Sequence, residues 1–286
     1  MIKVKFAAFS GAFREYSIHE TMKTVKNLGF NGIEIACKEP HLSVKTTLPR
    51  VQEIKRLSTE LELEIPALGG YMGKFSTSSD KECQQQLEDF KQILEWASIL
   101  DADMIRIFQG GPNAFLAKDY HYMKAAFWLN ECAVEAKKYN KNIVLEIHNI
   151  SLVETVDNAL RLLEMIDHEN VGLIHDAGNM YITDTDYGRE SVLKLGNDLF
   201  HVHVKDEKRV SDLSEPGSFI NFTKHGEEKF THCLLGNGEA DHQPLFDTLK
   251  EVGYNQWLTL ECSAPLSPIE RLGHDLKKVK EMLSHN

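Results

Sequence analysis

The chain has 286 residues, of which 42% are hydrophobic and 26% charged, a composition typical of a soluble globular protein with a large core. Its formal net charge of -11 argues against an extended basic surface, so we expect no nucleic-acid partner. No apolar run approaches the roughly 18 residues that a membrane helix needs, and no membrane association is expected.

The five cysteines are scattered and include no C-x-x-C pair, which predicts neither a disulfide framework nor a cysteine-bound zinc site. The apolar stretch at the start is interrupted at Ser10 and Gly11 and ends at Arg14 and Glu15, too soon for a signal peptide. We therefore expect a cytoplasmic protein.

Along the chain, apolar runs of strand length alternate with amphipathic segments of helix length. The eight predicted strands cover residues 4–10, 32–37, 65–70, 103–108, 142–148, 171–176, 199–205 and 257–262. The eight predicted helices lie near 18–28, 48–62, 80–100, 119–140, 153–166, 188–197, 243–252 and 268–284. This alternation is typical of a closed (β/α)8 barrel rather than an open sheet. We predict that residues 1–286 form a single α/β domain, a TIM barrel.

One long stretch, residues 206–241, follows neither pattern. It is rich in Lys, Glu, Ser and Gly and comes after the seventh predicted strand. Loops that follow the strands of a TIM barrel emerge at the catalytic rim. We therefore predict an active-site loop that closes over the site, and a disordered surface insertion is the alternative.

Four acidic or imidazole side chains, Glu146, Asp176, His203 and Glu261, stand near the ends of four successive predicted strands. Each alone is typical of a helix cap or a solvated rim residue. If the four runs are successive parallel strands, these residues lie together on one rim, and alternation along the strand points Asp176 rather than His175 inward. Three grouped carboxylates would repel one another without a cation. We predict one bound divalent ion, manganese first, with magnesium, cobalt or zinc as alternatives.

Several segments resemble the sugar phosphate isomerase/epimerase family of xylose isomerase-like TIM barrels. They are LEIHN (145–149), HDAGN (175–179), HVHVKD (201–206) and LGNGEADHQPLFDTLKEVGYNQWLTLE (235–261). The resemblance spans nearly the whole chain, and its last segment is the most specific. It implies the same four metal ligands that the strand ends predict. In the ketose epimerases of this family the two glutamates also transfer protons, which implies that role for Glu146 and Glu261.

The chain departs from the epimerase pattern after the sixth and seventh strands. Those enzymes tend to carry a histidine three residues after the strand-six aspartate, where this chain has Asn179. They carry Ser-Glu and Arg-Gly after the strand-seven histidine, whereas Lys205 and Asp206 follow His203 here. The form H-x-H-x-K-D is nearer to family members related to inosose dehydratases and to uncharacterised isomerases.

A divalent ion that chelates a sugar carbonyl stabilises the enediolate formed when the neighbouring C–H loses its proton. Two carboxylates can remove and return that proton, and we assign this to Glu146 and Glu261. The main prediction is a metal-dependent sugar isomerase or epimerase. An inosose-type dehydratase using the same site is the alternative. An endonuclease-IV-like nuclease and a non-catalytic sugar-binding barrel are further classes, and the acidic balance argues against the nuclease.

Further polar residues near strand ends are predicted to bind the substrate. His148 and Lys205 are candidates to contact sugar hydroxyls or a phosphate, and Asn179 shapes the loop after the sixth strand. Arg106 and Glu34 either face the substrate or pair with charged groups. For His148 and Lys205, a solvated rim position is the alternative. The expected partner is a small sugar or polyol, and homo-oligomerisation is left open.

Overall fold

In the computed structural model, which describes residues 3–284, eight parallel strands close into a barrel with helices around it. Within residues 3–284 the eight barrel strands are β1 (Lys5–Phe9), β2 (Gly32–Ala36), β3 (Ala67–Gly69), β4 (Met104–Arg106), β5 (Asn142–Glu146), β6 (Val171–Asp176), β7 (Leu199–Val204) and β11 (Trp257–Leu260). Three further strands, β8 (Asp206–Arg209), β9 (Ser218–Thr223) and β10 (Gly226–Cys233), form a separate sheet. The barrel order is β1-β11-β7-β6-β5-β4-β3-β2, and β2 pairs with β1 to close it. The predicted TIM barrel is confirmed.

The helices are α1 (Ile18–Leu28), α2 (Leu48–Glu60), α3 (Asp80–Leu100), α4 (Asp119–Lys138), α5 (Val156–Ile166), α6 (Ala177–Ile182), α7 (Arg189–Leu195), α8 (Gln243–Glu251) and α9 (Pro268–Ser284). Local signals in the sequence set several of their ends. Ser17 and Ser79 begin α1 and α3 through reciprocal capping boxes with Glu20 and Glu82. Within residues 3–284, no helix combines the length and the apolar character needed to cross a bilayer.

Two helices differ from the prediction. α5 begins at Val156 rather than near 153, because the Thr155 hydroxyl accepts the Asn158 amide at 3.2 Å and caps the helix there. α6 has no counterpart among the predicted helices. It follows β6 directly, and the Asp176 side chain caps it by accepting the Asn179 amide at 2.9 Å. Six residues are too few for a helical period to stand out in the sequence.

An apolar layer fills the lower part of the barrel. It consists of Ala67, Met104, Val144 and Ile174, with Phe200 packed against them. Residues two apart on a strand share a face, so the residues two positions further along β4, β5 and β6 also point inward, nearer the C-terminal rim. Those residues are Arg106, Glu146 and Asp176. The barrel interior therefore has an apolar layer below and a polar layer nearer the C-terminal rim.

Residues 206–241 contain a three-stranded antiparallel sheet in the order β8-β10-β9. Half of this segment is therefore strand, where the sequence predicts an irregular loop or a disordered insertion. Both β9 and β10 alternate between covered and exposed positions. Charged residues on the exposed face of β10 mask the apolar signal that identifies a strand in the sequence.

The Asp206 carboxylate fastens the end of this segment to its beginning. It accepts the backbone amides of Gly236 at 2.8 Å, Gly238 at 3.0 Å and Ala240 at 3.3 Å. A side chain at position 238 would place its Cβ 2.1 Å from Asp206 Oδ1. Glycine is therefore required there for the loop to approach the carboxylate.

Candidate active site

The four predicted ligand residues come together at the C-terminal end of the barrel. One donor atom from each of Glu146, Asp176, His203 and Glu261 lies within 4.8 Å of the others. The parallel register explains this, because Asp176 pairs with His203 across β6 and β7. His203 pairs in turn with Thr259 on β11, two residues before Glu261. We refer to these four residues as the carboxylate cluster.

The two nitrogens of the His203 imidazole face different surroundings. Nδ1 lies 3.3 Å from Glu146 Oε1 and 3.3 Å from Glu261 Oε1, inside the carboxylate cluster. Nε2 lies 3.1 Å from Glu34 Oε2, and that oxygen is also 3.2 Å from His201 Nε2. Burial alone would lower the pKa of His203, but the carboxylates of Glu261, Glu34 and Glu146 raise it well above its usual value. The His203 ring therefore lies between the carboxylates of Glu146 and Glu261 on one side and the carboxylate of Glu34 on the other.

Two buried cations border the carboxylate cluster. The Arg106 guanidinium donates to Glu146 Oε2 at 2.5 Å and lies 4.0 Å from Glu261 Oε1. Lys205 Nζ lies 2.8 Å from Asp176 Oδ2 and 3.4 Å from Glu261 Oε2. Although burial opposes it, Arg106 holds the pKa of Glu146 well below its usual value. Burial raises the pKa of Asp176 to about 7, although Lys205 acts to lower it.

The donor set fits a divalent cation. Asp176 Oδ2 and Glu261 Oε1 are buried, and neither makes a hydrogen bond of regular geometry to a residue in the range 3–284, although Lys205 Nζ lies 2.8 Å from Asp176 Oδ2. Such atoms are unfavourable unless a charge or a donor compensates them. Asn179 Nδ2 donates to Glu146 Oε1 at 3.0 Å and steadies that carboxylate. Carboxylate oxygens with one imidazole suit manganese, magnesium, cobalt or zinc.

A cavity of about 290 Å³ opens at the carboxylate cluster. Its lining includes four of the five residues predicted to bind substrate, and these are Arg106, His148, Asn179 and Lys205. His148 Nδ1 donates to the Asn149 carbonyl at 2.5 Å, and burial lowers the pKa of this imidazole. An adjoining cleft of about 600 Å³ shares Arg14, His232 and Ser263 with the cavity.

Glu34 is the fifth predicted substrate residue and lies elsewhere. It is fully buried on β2 and is absent from the cavity lining formed by residues 3–284. Its carboxylate contacts His201 and His203, so the structure favours a paired charge over a substrate contact. His201 Nε2 also lies 2.9 Å from Thr259 Oγ1. Glu34 and the two histidines form a second buried layer behind the carboxylate cluster.

Sequence reasoning missed three residues of the inserted sheet that line the cavity, Glu207, Phe219 and His232. His232 Nδ1 lies 2.9 Å and 3.0 Å from the two Glu207 carboxylate oxygens. The His232 ring stacks on Phe219 with centroids 4.6 Å apart. Only the pairing of β10 with β8 and β9 brings the three together, and nothing in the sequence marks that register.

Comparison with known proteins agrees with this architecture. The family model described as xylose isomerase-like TIM barrel matches residues 22–282. The chain is 31% identical over 266 residues to a protein named inosose dehydratase from Geobacillus thermodenitrificans, which covers 87% of this chain and 83% of that protein. Several other curated relatives carry the same name.

Two solved structures share the fold at lower identity. L-ribulose 3-epimerase is 18% identical with a TM-score of 0.78, over 98% of this chain and 94% of that chain. The IOLI protein with a binding zinc atom is also 18% identical with a TM-score of 0.78, over 98% of each chain. These two likenesses concern the fold alone. The match of the family model over residues 22–282, on a barrel with this rim, identifies the chain as a member of the xylose isomerase-like TIM barrel family.

Proposed function

We propose that this protein is a divalent-metal-dependent dehydratase that removes water from a cyclic polyhydroxy ketone of the inosose class. The observation that carries the proposal is the carboxylate cluster beside a cavity of about 290 Å³, whose lining includes Glu261 of the cluster. The relatives named inosose dehydratase support this reaction over the isomerase or epimerase that the sequence alone favours. The Lys205-Asp206 pair after His203 departs from the epimerase pattern, which agrees with a reaction other than epimerisation.

One divalent ion would be held by carboxylate oxygens of Glu146, Asp176 and Glu261 and by His203 Nδ1. When bound, the ion supplies Lewis-acid polarisation of the substrate carbonyl. The comparisons give no support to manganese in particular, and zinc is the metal named for one structural neighbour. The donor set accepts either. We therefore propose a divalent ion without preferring manganese.

The protein groups supply proton transfer and charge stabilisation. Glu146 and Glu261 flank His203 Nδ1 at 3.3 Å each and are the pair to which we assign proton transfer. Arg106 keeps Glu146 ionised, the form that accepts a proton from the C–H bond beside the carbonyl. The Lys205 ammonium lies at the cavity wall, where it stabilises negative charge that develops on oxygen as the bond breaks.

The substrate contacts follow from the cavity lining. His148 and Asn179 present polar groups beside the carboxylate cluster, as binding of a small polyol requires. Segment 206–241 contributes Glu207, Phe219 and His232 to the wall, and we propose that it excludes water from the reacting carbon. A cytoplasmic location, the absence of nucleic-acid binding and the oligomeric state stay predictions from the sequence.

The isomerase or epimerase reaction is the second candidate, and the paired glutamates favour it because they can transfer protons on two sides of one carbon. Incubation of inosose and of candidate ketoses in heavy water separates the reactions. The protein is first stripped with a chelator and reloaded with zinc, manganese or cobalt. We expect a product lighter by one water. Recovery of an isomeric sugar that carries deuterium, without loss of water, would overturn the dehydratase proposal.

The metal is tested separately by measuring its content after reconstitution. Wild type should bind one ion per chain, and Asp176→Ala should lose it because the buried cluster then lacks one of its three carboxylates. Full occupancy in this variant and in the matching alanine variants of the other three residues would refute the site.

A further inference from the structure

The inserted sheet carries a histidine and carboxylate pair to the cavity wall. His232 on β10 is the direct cross-strand partner of Glu207 on β8. The Glu207 side chain is 1% exposed, whereas the His232 side chain is 31% exposed. The carboxylate is therefore enclosed in the sheet, and the imidazole forms its accessible end.

The imidazole is fixed in orientation with one nitrogen available. Nδ1 faces both Glu207 oxygens, at 2.9 Å and 3.0 Å, and the ring stacks on Phe219 with an interplanar angle of 26°. Nε2 has no hydrogen-bond partner among residues 3–284, and His232 lines both the cavity and the adjoining cleft. A carboxylate on one nitrogen holds the tautomer and leaves the other nitrogen to exchange a proton.

The surroundings favour His232 over other cavity groups as a proton donor. Arg106 and Lys205 are engaged with carboxylates of the cluster. His148 also lines the cavity, but its Nδ1 faces the Asn149 carbonyl rather than a carboxylate. His232 is thus the accessible imidazole at the cavity wall that a carboxylate orients, as proton exchange with a bound substrate requires.

We propose that His232 is the general acid of the dehydration and that Glu207 is its positioning residue. This proposal rests on the proposed dehydratase function. It adds protonation of the departing hydroxyl, which the dehydration needs because hydroxide is a poor leaving group. As the base takes the proton beside the carbonyl, the C–H electron pair becomes the new carbon–carbon double bond. The C–O bond of the neighbouring hydroxyl breaks with its electrons on oxygen, which takes the Nε2 proton and leaves as water.

The proton balance needs no co-reactant. His232 ends neutral and the carboxylate base ends protonated, and solvent carries that proton back to the imidazole before the next turnover. Besides Glu207, the charged groups around His232 are Arg14, Lys205 and Glu261 in the shared cavity. Glu15 and Arg271 line the adjoining cleft.

The test uses the metal-loaded full chain and two probes, inosose and its analogue with fluorine in place of the departing hydroxyl. Fluoride leaves without a proton donor, so the analogue bypasses the acid. We expect His232→Gln to lower kcat for inosose about 100-fold or more. Turnover of the fluoro analogue and solvent exchange of the proton beside the carbonyl should stay close to wild type. Glu207→Gln should likewise lower kcat for inosose and spare the fluoro analogue, because the imidazole loses the carboxylate that orients it.

His225→Gln is the matched control. His225 lies on the turn between β9 and β10 and pairs with Asp184 at 3.1 Å, outside the cavity lining, so its loss should leave both probes unaffected. Equal losses on both probes in His232→Gln would overturn the acid role and indicate a binding or structural role, as would unchanged turnover of inosose. Wild type that isomerises inosose but never releases water would refute the dehydratase itself, and the acid role with it. Thermal unfolding of each variant confirms that it is folded.

Discussion

Glu34→Gln tests whether the buried layer behind the carboxylate cluster tunes metal binding. Glu34 Oε2 lies 3.1 Å from His203 Nε2 and 3.2 Å from His201 Nε2. A carboxylate there keeps the proton of His203 on Nε2 and leaves Nδ1 free to bind an ion. Glutamine has nearly the same shape, but it removes the negative charge and offers one acceptor where the carboxylate offers two.

The expected effect is a loss of metal affinity. Removal of a carboxylate that orients a ligating histidine lowers affinity roughly 10- to 100-fold. That range corresponds to about 1.4 to 2.8 kcal/mol of binding free energy. Isothermal titration of chelator-stripped protein with zinc or manganese measures it directly. Binding by Glu34→Gln as tight as by wild type would refute the assignment of Glu34 to His203.

Asp275→Asn is the matched control for this experiment. Asp275 is a 1% exposed carboxylate that accepts the Leu235 amide at 2.9 Å, and it does not line the cavity. Its neutralisation should affect folding stability without changing metal affinity. Equal losses of affinity in both variants would show that the effect comes from destabilising the barrel.

Three further changes probe the cavity and its surroundings. Lys205→Met removes the ammonium group and keeps most of the side-chain length. The value of kcat/KM should fall about 100-fold while the metal content stays unchanged. Rates near those of wild type would exclude stabilisation of negative charge by Lys205. Replacing the β9–β10 hairpin with a short glycine linker removes both Phe219 and His232 and should reduce turnover far more than Tm. Full activity would make the sheet dispensable for catalysis and would contradict the acid role of His232. Gly178→Ala places a Cβ 2.6 Å from Lys205 Cγ and 2.9 Å from the Lys205 carbonyl oxygen. That overpacking should lower the free energy of unfolding by about 1 to 3 kcal/mol in urea titrations, and an unchanged midpoint would contradict the close approach.

Much of the barrel and of the carboxylate cluster could be predicted from local patterns in the sequence. Strand and helix periods predict the eight-fold alternation, and alternation along a strand predicts that Asp176 points inward. Because parallel strands end on one rim, four strand-end residues suffice to predict a shared site. The structure brings Glu146, Asp176, His203 and Glu261 together as expected.

Contacts across the barrel and within the insertion could not be predicted in this way. β2 and β7 are not neighbours in the sheet, so the contact between Glu34 and His203 crosses the barrel interior. The spacing of apolar residues and the alternation along a strand indicate that a side chain points into the barrel. The closed geometry of the barrel decides which of these inward-pointing residues contact one another. The pairing of Glu207 with His232 likewise depends on the register of β8 against β10. Register is a property of the folded sheet, since it depends on which faces become buried.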